Sequence, residues 1–282
     1  MKRFVEALHK GYGQSFEVER VLYRDQTEHQ DLIIFETPTF GRVMALDDIV
    51  QVTTRDEFVY HEMMTHVPIL AKGDVTDVLI IGRGDRGILR EVLRHKTVQR
   101  ATMVEIDSTV VDLAKEHFPE LSAGGFDDPR TNLIITDGVK FVAETDQRFD
   151  VVIVDSTDPL GPGEVLFTES FYADCHRVLK DGGVLVTQNG VPFFQGQEVT
   201  DTFKRMGRSF KDNGFYTAVV PTYIGGFMTL GWGSDDAGLR DVPLDTLRQR
   251  FTAAGLKTRY YTPGLHQASF ALPQFILDLM IR

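Results

Sequence analysis

The β-branched residues 151–154 run straight into Asp155, and Asp158 follows inside a turn built from Pro159, Gly161, Pro162 and Gly163. An apolar run without alternation suits a strand covered on both faces by helices, and in open parallel sheets ligands sit beyond the carboxyl ends of the strands. Asp155 and Asp158 are therefore expected to face one pocket. Two carboxylates on one short loop repel unless something positive lies between them: a metal ion, a basic side chain or an amine-bearing substrate. Turn chemistry alone accounts for Asp158, because Asp and Pro favour turns. It accounts less well for Asp155, since the last residue of a strand has no need of such a side chain.

A second constellation precedes it. An apolar strand enters Gly82-Arg83-Gly84-Asp85-Arg86-Gly87, and the next strand ends in Glu105-Ile106-Asp107, at roughly the 20-residue spacing at which nucleoside-binding folds place an acid on the ribose. Asp137-Gly138 closes the following strand at the same edge, where a carboxylate accepts from an exocyclic amine and a glycine admits a flat base. The plainer alternative is that Glu105 and Asp137 only end strands or cap the next helices. Both NAD dehydrogenases and adenosyl-sulfonium enzymes use such an edge. No hydride-transfer constellation is evident, whereas acids facing an electrophilic sulfonium and an amine make chemical sense.

The string His61-Glu62-Met63-Met64-Thr65-His66 invites comparison with a zinc-protease helix, but that motif needs histidines four apart on one face. Here they are five apart and point in different directions. No zinc site is expected. His61 alone reads equally as a ligand-facing residue or a satisfied helix histidine.

The elements that must position these residues fall into two kinds. Segments 16–23, 31–35, 42–46 and 49–53 are rich in β-branched and aromatic residues between turn formers, as in a small antiparallel domain. Thr54 and Glu57 carry a capping-box signature for a helix from about residue 55 toward Pro68, with Tyr60, Met64 and Val67 on one face. From Asp74 the pattern alternates: strands at 75–81, 101–106, 133–136, 149–155 and 184–187, helices at 88–94, 109–117, 139–143 and 171–179. That is the mark of a parallel α/β sheet. Asp181-Gly182-Gly183 is expected to stop the last of these helices. Strands near 215–220 and 227–231 and a helix near 247–254 complete the far edge. The reading divides the chain into an N-terminal β-domain with its connecting helix, 1–70, and a catalytic α/β domain, 71–282.

Composition narrows the classes. The chain has 282 residues, 42% of them hydrophobic, 25% charged, a net charge of −11 and a single cysteine, Cys175. An internal disulfide and a cysteine-based zinc site are excluded. The acidic balance argues against a nucleic-acid partner and suits cationic ligands. No apolar run reaches the roughly 18 residues of a membrane span, and the first residues lack a signal-peptide core, so neither membrane nor export is expected and the location is read as cytoplasmic.

Taken together the residues resemble one family, the polyamine aminopropyltransferases, and most closely bacterial spermidine synthases. The likeness runs through Gly11-Tyr12-Gly13-Gln14, His29-Gln30-Asp31-Leu32-Ile33-Ile34-Phe35, Gly41-Arg42-Val43-Met44-Ala45-Leu46-Asp47 and Asp56-Glu57-Phe58-Val59-Tyr60-His61-Glu62-Met63. It continues through Met103-Val104-Glu105-Ile106-Asp107 and Asp155-Ser156-Thr157-Asp158-Pro159-Leu160-Gly161-Pro162 to Ala271-Leu272-Pro273-Gln274. The resemblance implies a Rossmann-like, methyltransferase-type domain behind a small β-domain, assembled as a homodimer or homotetramer, with no permanently bound cofactor and no metal.

It implies further that Gln30, Glu105, Asp137, Gly138 and Pro162 hold the adenosine of decarboxylated S-adenosylmethionine. Asp85 and His61 would meet its aminopropyl arm or the acceptor. Tyr60, Asp155, Asp158 and Tyr223 would hold putrescine or a similar diamine such as cadaverine or agmatine, with Asp155 as proton acceptor. Residues 160–167 would gate the pocket. The chain departs from the family's GGGDGG run at Arg83 and Arg86. Three readings follow: an active spermidine synthase with both arginines in solvent, an impaired polyamine-binding variant, or a methyltransferase whose arginine clamps the carboxylate of intact S-adenosylmethionine.

Overall fold

The computed structural model describes residues 3–6, 8–26, 31–82, 87–156 and 161–281. A short hairpin, β1 (Arg3–Val5) with β2 (Ser15–Glu17), leads into an antiparallel sheet of β3 (Arg20–Gln26), β4 (Asp31–Thr37), β5 (Gly41–Leu46) and β6 (Ile49–Thr53) in that order. Its core is Phe4, Phe16, Phe35 and the β-branched residues beside them.

Helix α1 (Glu57–Lys72) follows. The expected capping box does not form. Asp56 is the N-cap without a side-chain cap bond, because Thr54 Oγ1 instead accepts from Arg42 N of the adjacent strand, and the Glu57 carboxylate turns to His61 and Arg90. The helix also continues past Pro68. Almost every side of it is buried, in one apolar cluster with strands of the large sheet, and this packing outweighs the backbone bond that a proline forgoes.

The alternating pattern then builds the large sheet. In chain order come β7 (Asp77–Ile81), α2 (Gly87–Leu93), β8 (Arg100–Glu105), α3 (Ser108–His117), α4 (Pro119–Ser122), β9 (Thr131–Ile135), α5 (Gly138–Glu144), β10 (Phe149–Val154), a 3-10 segment Gly161–Phe167, α6 (Glu169–Arg177), β11 (Leu179–Gln188), α7 (Gly196–Met206), β12 (Asp212–Ala218), β13 (Met228–Ser234), α8 (Leu244–Ala254), α9 (Pro263–Ser269) and α10 (Gln274–Met280). The strand order is β12-β13-β11-β10-β7-β8-β9. Strands β11, β10, β7, β8 and β9 are parallel, and β13 and β12 close the edge antiparallel. The order reverses between β7 and β10, which puts the topological switch point at their carboxyl ends.

Asp181-Gly182-Gly183 does not stop a helix. The helix has ended at Arg177, and the three residues lie within β11, where the register to β10 slips between the Phe149 and Val151 pairings. Gly182 takes a positive φ of 62° there, so the glycines serve a bulge rather than a C-cap.

Candidate active site

Four strand ends meet on one rim. Past the regular ladder, Gly82 N donates to Val104 O at 2.9 Å, Asp155 N to Ile81 O at 2.8 Å and Thr136 N to Glu105 O at 2.9 Å, so the residues after β7, β8, β9 and β10 stay in register. Gly82 has φ 90°, and a Cβ there would lie 2.4 Å from Asp155 O. Only glycine permits both that conformation and that approach. Gly138 opens α5 with its Cα against Ile81, where a Cβ would fall 2.4 Å from a side-chain carbon.

Asp155 is 1% exposed and accepts a hydrogen bond at 2.6 Å from Tyr60 Oη, itself buried on α1. Residues 95 apart in the chain thus form the centre of the site. Glu105 is likewise buried. Its Oε1 accepts from Asp107 N at 2.9 Å, and its Oε2 has no partner among the described residues. Burial pushes its carboxyl up to about 7; backbone hydrogen bonds from Asp107 and Ile106 oppose this, and the charges of Asp107 and Asp155 add to it. That last influence shows Glu105 and Asp155 to be electrostatic neighbours. Asp137 is exposed and caps α5, accepting from Val139 N at 2.8 Å; the cap uses one oxygen.

On the other side of Tyr60 lies a cavity between the small sheet and the large one. Tyr60, Tyr223, Gln51, Gln188 and Glu6 supply its polar edge, with Val191 and Met228 among the apolar residues. The Tyr223 ring stands edge-on to Tyr60 with centroids 5.9 Å apart, while its hydroxyl donates to Gln51 O at 2.6 Å. The Glu6 carboxylate, from the hairpin, accepts from Val50 N and from Gln14 Nε2, both at 2.8 Å, and Gln14 Nε2 also donates to Thr222 O at 2.6 Å. Asp56 ties the same wall by accepting from Thr222 N and Oγ1. Segments far apart in the chain thereby close one space.

His61 and His66 face different partners. His61 Nδ1 lies 2.6 Å from Glu57 Oε2, and His66 lies against His95 and Glu91. No group of three or more potential ligands able to hold a metal occurs among the described residues.

Of the residues singled out in the sequence, Tyr60, His61, Glu105, Asp137, Gly138, Asp155 and Tyr223 are placed as above. Gln30, Asp85, Asp158 and the two departures Arg83 and Arg86 lie outside the described residues, as does the first residue of the expected gate. The rest of that gate is the 3-10 segment holding Pro162. Sequence reasoning missed Glu6, Gln51, Gln188 and the Glu57–Arg90 pair. Gln14 stood in a quoted run, but nothing local marks Glu6, an acid just past a three-residue strand, as a cavity residue.

A largely parallel sheet with acids along its switch-point rim and a small antiparallel β-domain beside it defines the class as a Rossmann-like enzyme. The chain belongs to the spermine/spermidine synthase family: residues 57–242 match the spermine/spermidine synthase domain and residues 4–54 the spermidine synthase tetramerisation domain. It is 59% identical over 278 residues to polyamine aminopropyltransferase 1 of Pseudomonas aeruginosa, covering 99% of this chain and 97% of that one. The polyamine aminopropyltransferase of Pseudomonas syringae pv. tomato is 58% identical over 277 residues, 98% and 97% of the two chains. A crystal structure of spermidine synthase with the transition-state analogue AdoDATO superposes with a TM-score of 0.93 at 36% identity, over 99% of this chain and 94% of that one. Spermidine synthase from Thermotoga maritima superposes at 0.92 and 35%, with the same coverage.

Proposed function

We propose that the chain is a spermidine synthase, transferring the aminopropyl group of decarboxylated S-adenosylmethionine to putrescine, with spermidine and 5′-methylthioadenosine as products. The observation that carries this reading is the buried Tyr60–Asp155 pair at the switch point, set between an acid suited to a ribose and a cavity suited to a diamine.

A protonated amine has no lone pair to attack with. Desolvation of the bound diamine lowers the amine's pKa, attraction to Asp155 favours the charged pair, and the base works where the site brings the two pKa values together. Asp155 takes the proton, and Tyr60, donating to one oxygen, orients the carboxylate. The freed nitrogen forms a bond to the carbon beside sulfur. The carbon–sulfur bond breaks, and its electron pair neutralises the sulfonium. Holding nitrogen, carbon and sulfur in line supplies up to roughly 7–11 kcal/mol of the barrier.

Glu105 receives the ribose hydroxyls, while Asp137 and Gly138 meet the base; family likeness adds Gln30 and Pro162. His61 and Asp85 take the aminopropyl arm. Asp158, Tyr223 and the far carboxylate of Glu6 hold the diamine, whose second ammonium needs an anionic end to the cavity. No metal or resident cofactor enters this scheme. The subunits assemble as a homodimer or homotetramer and work in the cytoplasm.

Calorimetry with intact and decarboxylated cosubstrate tests the reading, followed by product analysis with competing diamines. Binding of the decarboxylated form and formation of spermidine are expected. Preference for the intact form would make the chain a methyltransferase, and silence with both a non-enzymatic variant.

A further inference from the structure

Asp56 stands at the N-cap position of α1, yet its side chain makes no cap bond. An aspartate there ordinarily accepts from an amide of the first helical turn. Here the carboxylate is committed elsewhere. It is 4% exposed, its Oδ1 accepts from Thr53 Oγ1 at 2.6 Å, and its Oδ2 accepts from Thr222 N at 2.9 Å and Thr222 Oγ1 at 2.8 Å. Thr222 is held from its other side as well, because Gln14 Nε2, just before β2, donates to its carbonyl at 2.6 Å. Both polar groups of the Thr222 backbone are thus fixed by residues from remote parts of the chain. Tyr223 follows directly, its ring edge-on to Tyr60 and its hydroxyl on Gln51 O. Gln51 lies two residues before Thr53 on β6. The contacts therefore close a circuit, from Asp56 to Thr222, along the chain to Tyr223, across to Gln51, along β6 to Thr53 and back to Asp56.

We propose that Asp56 is a positioning residue for the acceptor: by fixing Thr222 it sets the Tyr223 ring against Tyr60 and so determines the width of the slot in which the carbon chain of the diamine lies. This rests on the assignment of the cavity beside Tyr60 to a diamine. Thr222, Tyr223, Gln51 and Tyr60 all line that cavity. Asp56 does not; it borders a smaller space that Tyr60, Thr222 and Tyr223 also border, and so acts through its neighbours. The segment it holds joins β12 to β13 and reaches the surface at Val219, which is 46% exposed. A connecting segment of this kind is ordinarily among the more mobile parts of a fold. Contact with a hydrocarbon chain weakens within a fraction of an ångström of added gap, so telling apart chains that differ by one methylene needs walls that do not give. Three donors on one buried carboxylate supply that stiffness, and a carboxylate accepts more strongly than a neutral oxygen.

The test pairs hydrogen exchange of the ligand-free protein with the kinetics of D56A, D56N and T222V. In D56A the Thr222 amide loses its acceptor, and exchange over residues 222–224 is expected to quicken about tenfold while α1 keeps its protection. The kcat/KM for putrescine should fall about tenfold, chiefly through KM, with the KM for the decarboxylated donor within about twofold of wild type. The preference between putrescine and cadaverine should narrow. D56N keeps an oxygen for Thr222 and offers its amide to the Thr53 hydroxyl, so it should recover most of the loss. T222V keeps the backbone bond alone and should show a smaller loss of the same kind, and the double variant D56A with T222V should be no worse than D56A. Unchanged exchange at 222–224 in D56A would overturn the proposal. So would D56N as impaired as D56A, which would make charge the agent, or donor and acceptor KM rising together, which would mark a general loss of structure. If D56A does not fold, T222V decides, and a loss shared by both substrates, or none, overturns the proposal. Failure of the wild type to bind any diamine by calorimetry would instead overturn the assignment of the cavity, and the exchange result separates the two failures.

Discussion

In the proposed reaction Asp155 must combine two demands on one side chain: burial in the core rim and acceptance of a proton. Replacing it with asparagine keeps an acceptor for Tyr60 Oη and removes the base. D155N is expected to retain the wild-type fold by circular dichroism while losing roughly 10²–10⁴-fold in kcat; wild-type turnover would refute the assignment. Glu105 makes a prediction about pH. Its carboxyl sits at about 7 against an ordinary 4.5, so between those values the native state holds a proton that the unfolded chain has released. Native stability therefore falls as pH rises through this window. Because Gln mimics the protonated acid, wild type should lose about 3 kcal/mol relative to E105Q between pH ~4.5 and ~7. Urea unfolding of both proteins at each pH checks the sign.

At the scale of elements, α1 does more than span two sheets. Its Tyr60 and His61 face the site, while Glu62 points the other way and accepts from Arg259 N, Tyr260 N and Tyr261 N, all at 2.8 Å. One buried carboxylate thus fastens the segment between α8 and α9 to the helix that carries the site. E62A leaves three donors unmatched and is expected to cost about 3 kcal/mol. Hydrogen exchange should quicken at residues 259–261 before it does in β10, and unchanged protection there would show that packing alone holds the segment. The glycines at 82 and 87 act at the same scale, because each lets two elements approach where a methyl group would separate them.

For the molecule as a whole, the small domain contributes to the cavity beside Tyr60 through Glu6, Gln51 and the Gln14–Thr222 bond, and its sequence matches a tetramerisation domain. Sedimentation at micromolar concentration is expected to show a dimer or tetramer. A monomer that turns over at full rate would separate assembly from activity.

Local pattern was enough for the α/β class, the antiparallel start and the acidic ends of consecutive parallel strands, because strand period is written in neighbouring residues. It misled at Thr54 and at Asp181-Gly182-Gly183, where a cross-strand hydrogen bond and a register slip override the local signal. Tertiary structure alone decided that Tyr60 meets Asp155, that Glu6 closes the cavity and that Arg90 sits on the carboxylate behind His61. Those side chains come from distant parts of the chain, and what brings them together is the packing of α1 and the hairpin against the sheet rim, a packing that no short window of sequence encodes.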